Sequence, residues 1–252
     1  PDLMDRVGAS STGEGALWGG VLMASYAGAL FIFAPIIGSL SDAYGRKPVL
    51  LMALFILAVD YVFMALASEF WILLIGRILA GIAGATYTTA TAYIADISSP
   101  EKRAARFGMV GAAFGIGFVL GPAIGGIAAE LHITAPFWIA AVLSAANVLF
   151  GLFVLPESLE PKKRRPFWFR DINPFTAIIG AFKTPGLAIP LICLFVFEFA
   201  NMVYPVLWAF FTRELFDWSS FTIGISLAGY GILLAGVQGG LMPVFINRVG
   251  EF

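Results

Sequence analysis

Gly38-Ser39-Leu40-Ser41-Asp42-Ala43-Tyr44-Gly45-Arg46-Lys47-Pro48 is the stretch that decides the fold. It is a short polar string between two apolar runs, each about the length of a bilayer crossing, roughly 20 residues. Gly38 lets two helices approach closely, and Gly45 permits a tight turn. Pro48 suits the start of the next helix. Asp42 is spaced to pair with Arg46 or to cap the following helix. A charge cluster at a helix–helix junction is a plausible conformational latch, and its predicted members are Gly38, Asp42, Gly45, Arg46 and Lys47, with Asp96 as a partner for Arg46.

Outward from this string the chain is apolar almost throughout. Of its 252 residues, 60% are hydrophobic and 12% charged, against about 25% charged in a soluble domain. Mean hydropathy is +0.90. The apolar runs predict seven spans, at about residues 16–40, 48–67, 70–97, 104–129, 135–155, 186–211 and 220–246. They are too long and continuous for barrel strands, so helices are expected, giving an all-α polytopic membrane protein. Twelve basic residues fall in one set of loops (Arg46, Lys47, Lys102, Arg103, Arg106, Lys162–Arg165, Arg170, Lys183, Arg248) and two, Arg6 and Arg213, in the other. Basic loops stay in the cytoplasm. This assigns loops 41–48, 98–104 and 157–185 and the C-terminal end to that side. The long loop carries the basic run Lys162–Arg165 and then Pro166-Phe167-Trp168-Phe169, suited to the headgroup interface.

Three further strings bear on function. Trp71–Asp96 contains Gly76-Arg77-Ile78-Leu79-Ala80-Gly81-Ile82-Ala83-Gly84-Ala85. Gly111–Gly126 has the core Gly117-x-x-x-Gly121-Pro122-x-x-Gly125-Gly126. Leu155-Pro156-Glu157-Ser158 ends the fifth span. The first string quoted resembles motif A of the major facilitator superfamily. The Gly76–Ala85 stretch resembles motif B of its proton-coupled members, and the Gly117–Gly126 core resembles motif C of its drug/proton antiporters. With Asp60-Tyr61 and Thr222–Ala228, the whole chain looks like the tetracycline-efflux family. Where that family carries a histidine in the span corresponding to the seventh here, this sequence has Leu233-Leu234, a departure from the pattern that bears both on tetracycline as the substrate and on the family's proton path.

The resemblance implies proton-driven export of a hydrophobic or amphipathic, tetracycline-like drug by alternating access. The alternative on the same fold is proton-coupled uptake of a nutrient or metabolite, against which motif C argues. It implies a multi-pass protein of the bacterial inner membrane, acting on a small molecule and protons, with no cofactor beyond the proton gradient, and functional as a monomer when full length. A weak internal repeat aligns Tyr26–Lys47 with Gly231–Phe252. Repeated halves are common in transporters, and six spans per half predict twelve. The chain is then expected to hold spans two to six (residues 1–156), the central loop (157–185) and spans seven and eight (186–252), lacking the first span and the last four.

Charges inside spans narrow the site. Asp60 lies about 18 Å from the cytoplasmic end of its span. Arg77 falls at a similar depth in the next, so the two are expected to pair. An unpaired arginine there would cost at least about 2.5 kcal/mol. Glu198, Asn201, Tyr204 and Trp208 are spaced to share one helical face. Such a face belongs against a cavity, with Gln238 and Tyr230 as weaker candidates. Asp60, Arg77 and Glu198 are the candidates for proton coupling.

Other classes fit less well. One cysteine (Cys193) and one histidine (His132) offer no metal set or disulfide. No clustered nucleophile or carboxylate set suggests an enzyme. A net charge of −1 gives no nucleic-acid footprint. A seven-helix retinal protein would need a lysine in the last span, and 220–246 has none.

Overall fold

The computed structural model describes residues 2–167 and 172–237, and among these the regular structure is helical. In chain order the helices are α1 (Asp2–Arg6), α2 (Thr12–Tyr44), α3 (Arg46–Leu66), α4 (Phe70–Gly84), α5 (Tyr87–Asp96), α6 (Pro100–Leu131), α7 (Ala135–Val154), α8 (Pro174–Lys183), α9 (Ala188–Asn201), α10 (Val203–Phe216) and α11 (Ser220–Gly236). Five segments are long and apolar enough to cross a membrane: α2, α3, α4 with α5, α6 and α7.

Local chemistry sets the ends. Ser11 caps α2 by accepting from the Glu14 N–H at 3.2 Å, and Glu14 accepts from the Ser10 N–H at 2.8 Å, so this helix begins a turn before the expected residue 16. Gly45 separates α2 from α3 at φ +111°, where a side chain would be strained. Asn173 accepts from the Phe175 N–H at 3.0 Å, with Pro174 in the first turn of α8. This capped helix lies inside the segment expected to be a loop.

Two expected spans are divided. The third breaks at Ala85-Thr86, where the Thr86 hydroxyl donates back to the Ala83 carbonyl at 2.7 Å and the Thr86 N–H makes a tight-turn bond to the same oxygen at 3.2 Å. The sixth breaks at Met202 and runs on to Phe216 rather than ending at residue 211. Pro205 has no N–H to give the Asn201 carbonyl, which ends α9 there. The seventh expected span is described as far as Val237, and Gln238 and the proposed repeat partner at Asn247–Gly250 lie outside the described residues.

In the first part of the chain, α2 packs on α4 and α3 packs on α4 and α7. The α2–α4 approach is close. A Cβ on Gly81 would collide with the Tyr26 carbonyl and stand 2.8 Å from the Ala29 Cβ. In the second part, α11 packs along α6 and α10 touches α2. A cluster of Met4, Val7, Leu22, Met64, Ala67 and Leu73, with Trp18, Phe70 and Phe210 against it, closes the end away from the basic loops. Large apolar side chains otherwise face outward, Leu131 at 83% and Phe153 at 86% exposure among them. That is the arrangement expected where lipid replaces water as solvent.

Candidate functional site: charge cluster, buried ion pair and aromatic cavity

The turn between α2 and α3 gathers charge from four elements. Arg46 Nη1 lies 2.5 Å from Asp42 Oδ1, and Arg46 Nε lies 3.4 Å from Asp96 Oδ2 at the end of α5. Nη1 also donates to the Ser41 hydroxyl, which is fully buried. Lys47 Nζ donates to the Leu152 carbonyl of α7 at 2.9 Å. Asp42, Gly45, Arg46, Lys47 and Asp96 thus come together, while Gly38 has no neighbour within 4 Å of a Cβ built on it. A member that the spacing argument missed is Glu157. Its carboxylate accepts from the N–H groups of Arg46 at 2.9 Å and Lys47 at 3.3 Å. Its one signal was its place in Leu155-Pro156-Glu157-Ser158.

Deeper in the bundle, Arg77 Nη2 donates to Asp60 Oδ2 at 2.7 Å. Asp60 is completely buried and the Arg77 side chain is 23% exposed. Among the described residues, Asp60 Oδ1 and Arg77 Nε have no hydrogen-bond partner. Oδ1 lies over the bare Cα of Gly76, where a Cβ would sit 2.5 Å away. Gly76-Arg77 therefore works as a unit: the glycine admits the carboxylate and the arginine neutralises it.

The third feature is a cavity of about 450 Å³ between α6, α9, α10 and α11. Its walls include Glu198, Asn201, Tyr204 and Trp208, the four residues placed on one face by spacing, together with Tyr230. Phe118, Pro122 and Ser226 complete it from the facing helices, and these three were not singled out as lining residues. Trp208 Nε1 donates to the Ser226 hydroxyl at 3.0 Å, which pins α10 to α11. A second space of about 610 Å³ shares Tyr204 and Trp208 and is walled by Thr12, Gly13 and Ala16 of α2.

The glycine run of α6 divides by face. A Cβ on Gly224 of α11 would be 2.5 Å from the Pro122 carbonyl and 3.0 Å from the Gly126 Cα, so Pro122 and Gly126 form the crossing. Gly117, Gly121 and Gly125 have no described neighbour within 4 Å of a built Cβ. Among the described residues, no group of His, Cys, Asp and Glu is arranged to hold a metal. His132 Nδ1 is engaged with Thr134, 2.9 Å from its hydroxyl.

Comparisons with known proteins agree with this architecture. The chain is similar to the class C tetracycline resistance protein of Escherichia coli, 43% identical over 92% of this chain and 58% of that protein. It is similar to the class B protein of the same species at 40% over 92% and 58%. Among solved structures it resembles the human organic anion transporter MFSD10, with a TM-score of 0.70 and 27% identity over 94% of this chain and 60% of that one. The chain therefore spans somewhat more than half the length of these relatives. The profile of the Major Facilitator Superfamily matches residues 1–252. With its bacterial tetracycline-resistance relatives and its membrane-length apolar helices, the chain is a multi-pass inner-membrane protein; it belongs to the Major Facilitator Superfamily, a family of transporters rather than enzymes.

Proposed function

We propose that the complete protein exports a hydrophobic or amphipathic drug of the tetracycline type in exchange for protons, by alternating access and without a cofactor. The observation that carries this reading is the cavity at the seam of the two parts of the chain. One carboxylate, Glu198, faces it among Tyr204, Trp208, Tyr230 and Phe118. Aromatic walls suit a flat apolar ligand, and a few convergent polar groups orient it. A carboxylate that exchanges a proton for a ligand biases two conformations by its differential affinity for them. The names of the relatives, for tetracycline resistance and for quinolone resistance in Staphylococcus aureus, support the substrate class.

In this reading Asp60–Arg77 is the buried charge pair of the cycle and the Asp42–Arg46–Asp96 cluster is the latch. Leu233-Leu234 stands where the tetracycline-efflux family has a histidine, so Glu198 takes the role of proton acceptor. The test uses everted membrane vesicles holding the complete protein, with a pH-sensitive dye and a panel of tetracyclines and other drugs. Drug-triggered proton movement that disappears in Glu198→Gln and Asp42→Asn is expected. Nutrient accumulation by intact cells, with no drug-triggered proton movement, would overturn the export reading.

A further inference from the structure

The chain leaving α7 does not wander from the bundle. It crosses the latch and is tied to it at successive points. The Tyr93 hydroxyl donates to the Pro156 carbonyl at 3.1 Å, and the Ser158 hydroxyl donates to Asp96 Oδ2 at 3.1 Å. The Arg165 N–H donates to the Asp42 carbonyl at 3.1 Å. Residues 156–165 therefore form a strap from the end of α7, over the α2–α3 turn, into the basic run Lys162–Arg165.

Glu157 is where strap and latch are joined. The first turn of any helix presents backbone N–H groups with no partner inside the helix. At α3 the capping residue is Gly45, which has no side chain to supply an acceptor. Glu157 supplies it from more than a hundred residues away. Oε1 accepts from Arg46 at 2.9 Å and from its own strap, Leu159, at 3.0 Å, and Oε2 accepts from Lys47 at 3.3 Å. A carboxylate is also the group favoured by the positive end of a helix dipole. Contact is close enough that a Cβ on Gly45 would collide with the Glu157 carboxylate, its Cδ 2.9 Å away. The turn glycine thus serves two purposes: it allows φ +111° and it leaves room for Glu157.

We propose that Glu157 is a positioning residue of the transport cycle, whose carboxylate couples the α2–α3 latch to the central-loop strap so that opening the latch releases the strap. This rests on the reading of the charge cluster as the latch of a transporter. The consequence is chemical and local. The basic run is solvent-exposed but tethered along the bundle. It is held out of a protease's active site while the latch is closed and freed to extend into one when the latch opens.

The test is trypsin cleavage in everted vesicles holding the complete protein, where the basic loops face the medium. Cleavage after Lys162, Lys163 or Arg164 (the Arg165–Pro166 bond resists trypsin) is compared with cleavage after Lys183, an exposed site outside the strap that controls for general changes in protease access. In the unaltered protein, cleavage of the basic run is expected to quicken when drug and a proton gradient are supplied. In Glu157→Ala it is expected to be about tenfold faster at rest, the size of effect a lost helix cap has, and to respond no further. Glu157→Gln keeps one acceptor oxygen and should fall between. Proton release should lose turnover in Glu157→Ala with its drug KM unchanged. Resting cleavage of Glu157→Ala equal to that of the unaltered protein would overturn the proposal, as would cleavage that ignores drug and gradient while transport proceeds. If no drug moves protons even in the unaltered protein, the export reading falls alone. The resting difference between Glu157→Ala and the unaltered protein then still decides whether Glu157 holds the strap.

Discussion

Arg46 and Arg77 are both held by carboxylates, but in opposite ways. Arg46 sits at the end of the bundle with Asp42, Asp96 and Ser41 around it, and its two carboxylates remain 38% and 28% exposed. Arg77 has one carboxylate, and that carboxylate is completely buried. A cluster with several partly wetted partners can exchange them at small cost, because water and neighbours replace each lost contact. A buried pair has no substitute partner, and removing one member strands the other. The difference teaches that the Arg46 cluster can rearrange at small cost, whereas the Asp60–Arg77 pair is stable only while both partners stay together.

The largest effect that could break this contrast is Arg77→Ala. It should cost about 3–5 kcal/mol of stability by leaving Asp60 buried and unpaired, read as a lowered melting temperature of the purified complete protein in detergent. Asp60→Asn with Arg77→Ala should recover much of that loss. A melting temperature unchanged by Arg77→Ala alone would mean that the pair is wet and the contrast is wrong. Next is Gly224→Ala, which sets a methyl 2.5 Å from the Pro122 carbonyl on a backbone that cannot move independently of α6. Overpacking of this kind costs about 1–3 kcal/mol, and here it should also slow any motion at the α6–α11 seam. Preserved melting with normal turnover would place the crossing outside the moving parts.

Trp208→Phe keeps an aromatic wall and removes the donor to Ser226. One hydrogen bond is worth about 0.5–1.5 kcal/mol, so α10 is held less firmly to α11 and the melting temperature should fall modestly, with little change in the drug KM. A KM shift as large as that of Glu198→Gln would make the tryptophan, not the carboxylate, the main anchor. The smallest stability effect is expected at Asp96→Asn. Its contact with Arg46 is long, at 3.4 Å, and partly exposed, so the melting temperature should shift by less than about 1 kcal/mol allows. A shift comparable to that of Arg77→Ala would erase the distinction between the two arginines.

Much of this was legible from residue order alone, and the reasons are local. A bilayer demands about 20 apolar residues per helix, so the runs announce the crossings whatever they pack against. Charge bias in the loops assigns the cytoplasmic side. Asp60 and Arg77 are adjacent in depth because helical rise is constant, and Glu198, Asn201, Tyr204 and Trp208 share a face because helical turn is constant. Asp42 and Arg46 are four residues apart, and Gly45 marks the turn between them.

What only the tertiary structure decided are the partners that come from far along the chain. Glu157 caps α3 from the end of α7, although nothing in its own neighbourhood marks it as a cap. Phe118, Pro122 and Ser226 become cavity walls only when α6 and α11 cross against α10. In a helix apolar on every side, residue order does not say which face meets protein and which meets lipid. Hence Gly126 proved to be at the crossing with α11, while Gly117, Gly121 and Gly125 of the same run meet none of the described residues. Spacing along one helix is determined by backbone geometry, whereas contact between helices is determined by which surfaces fit.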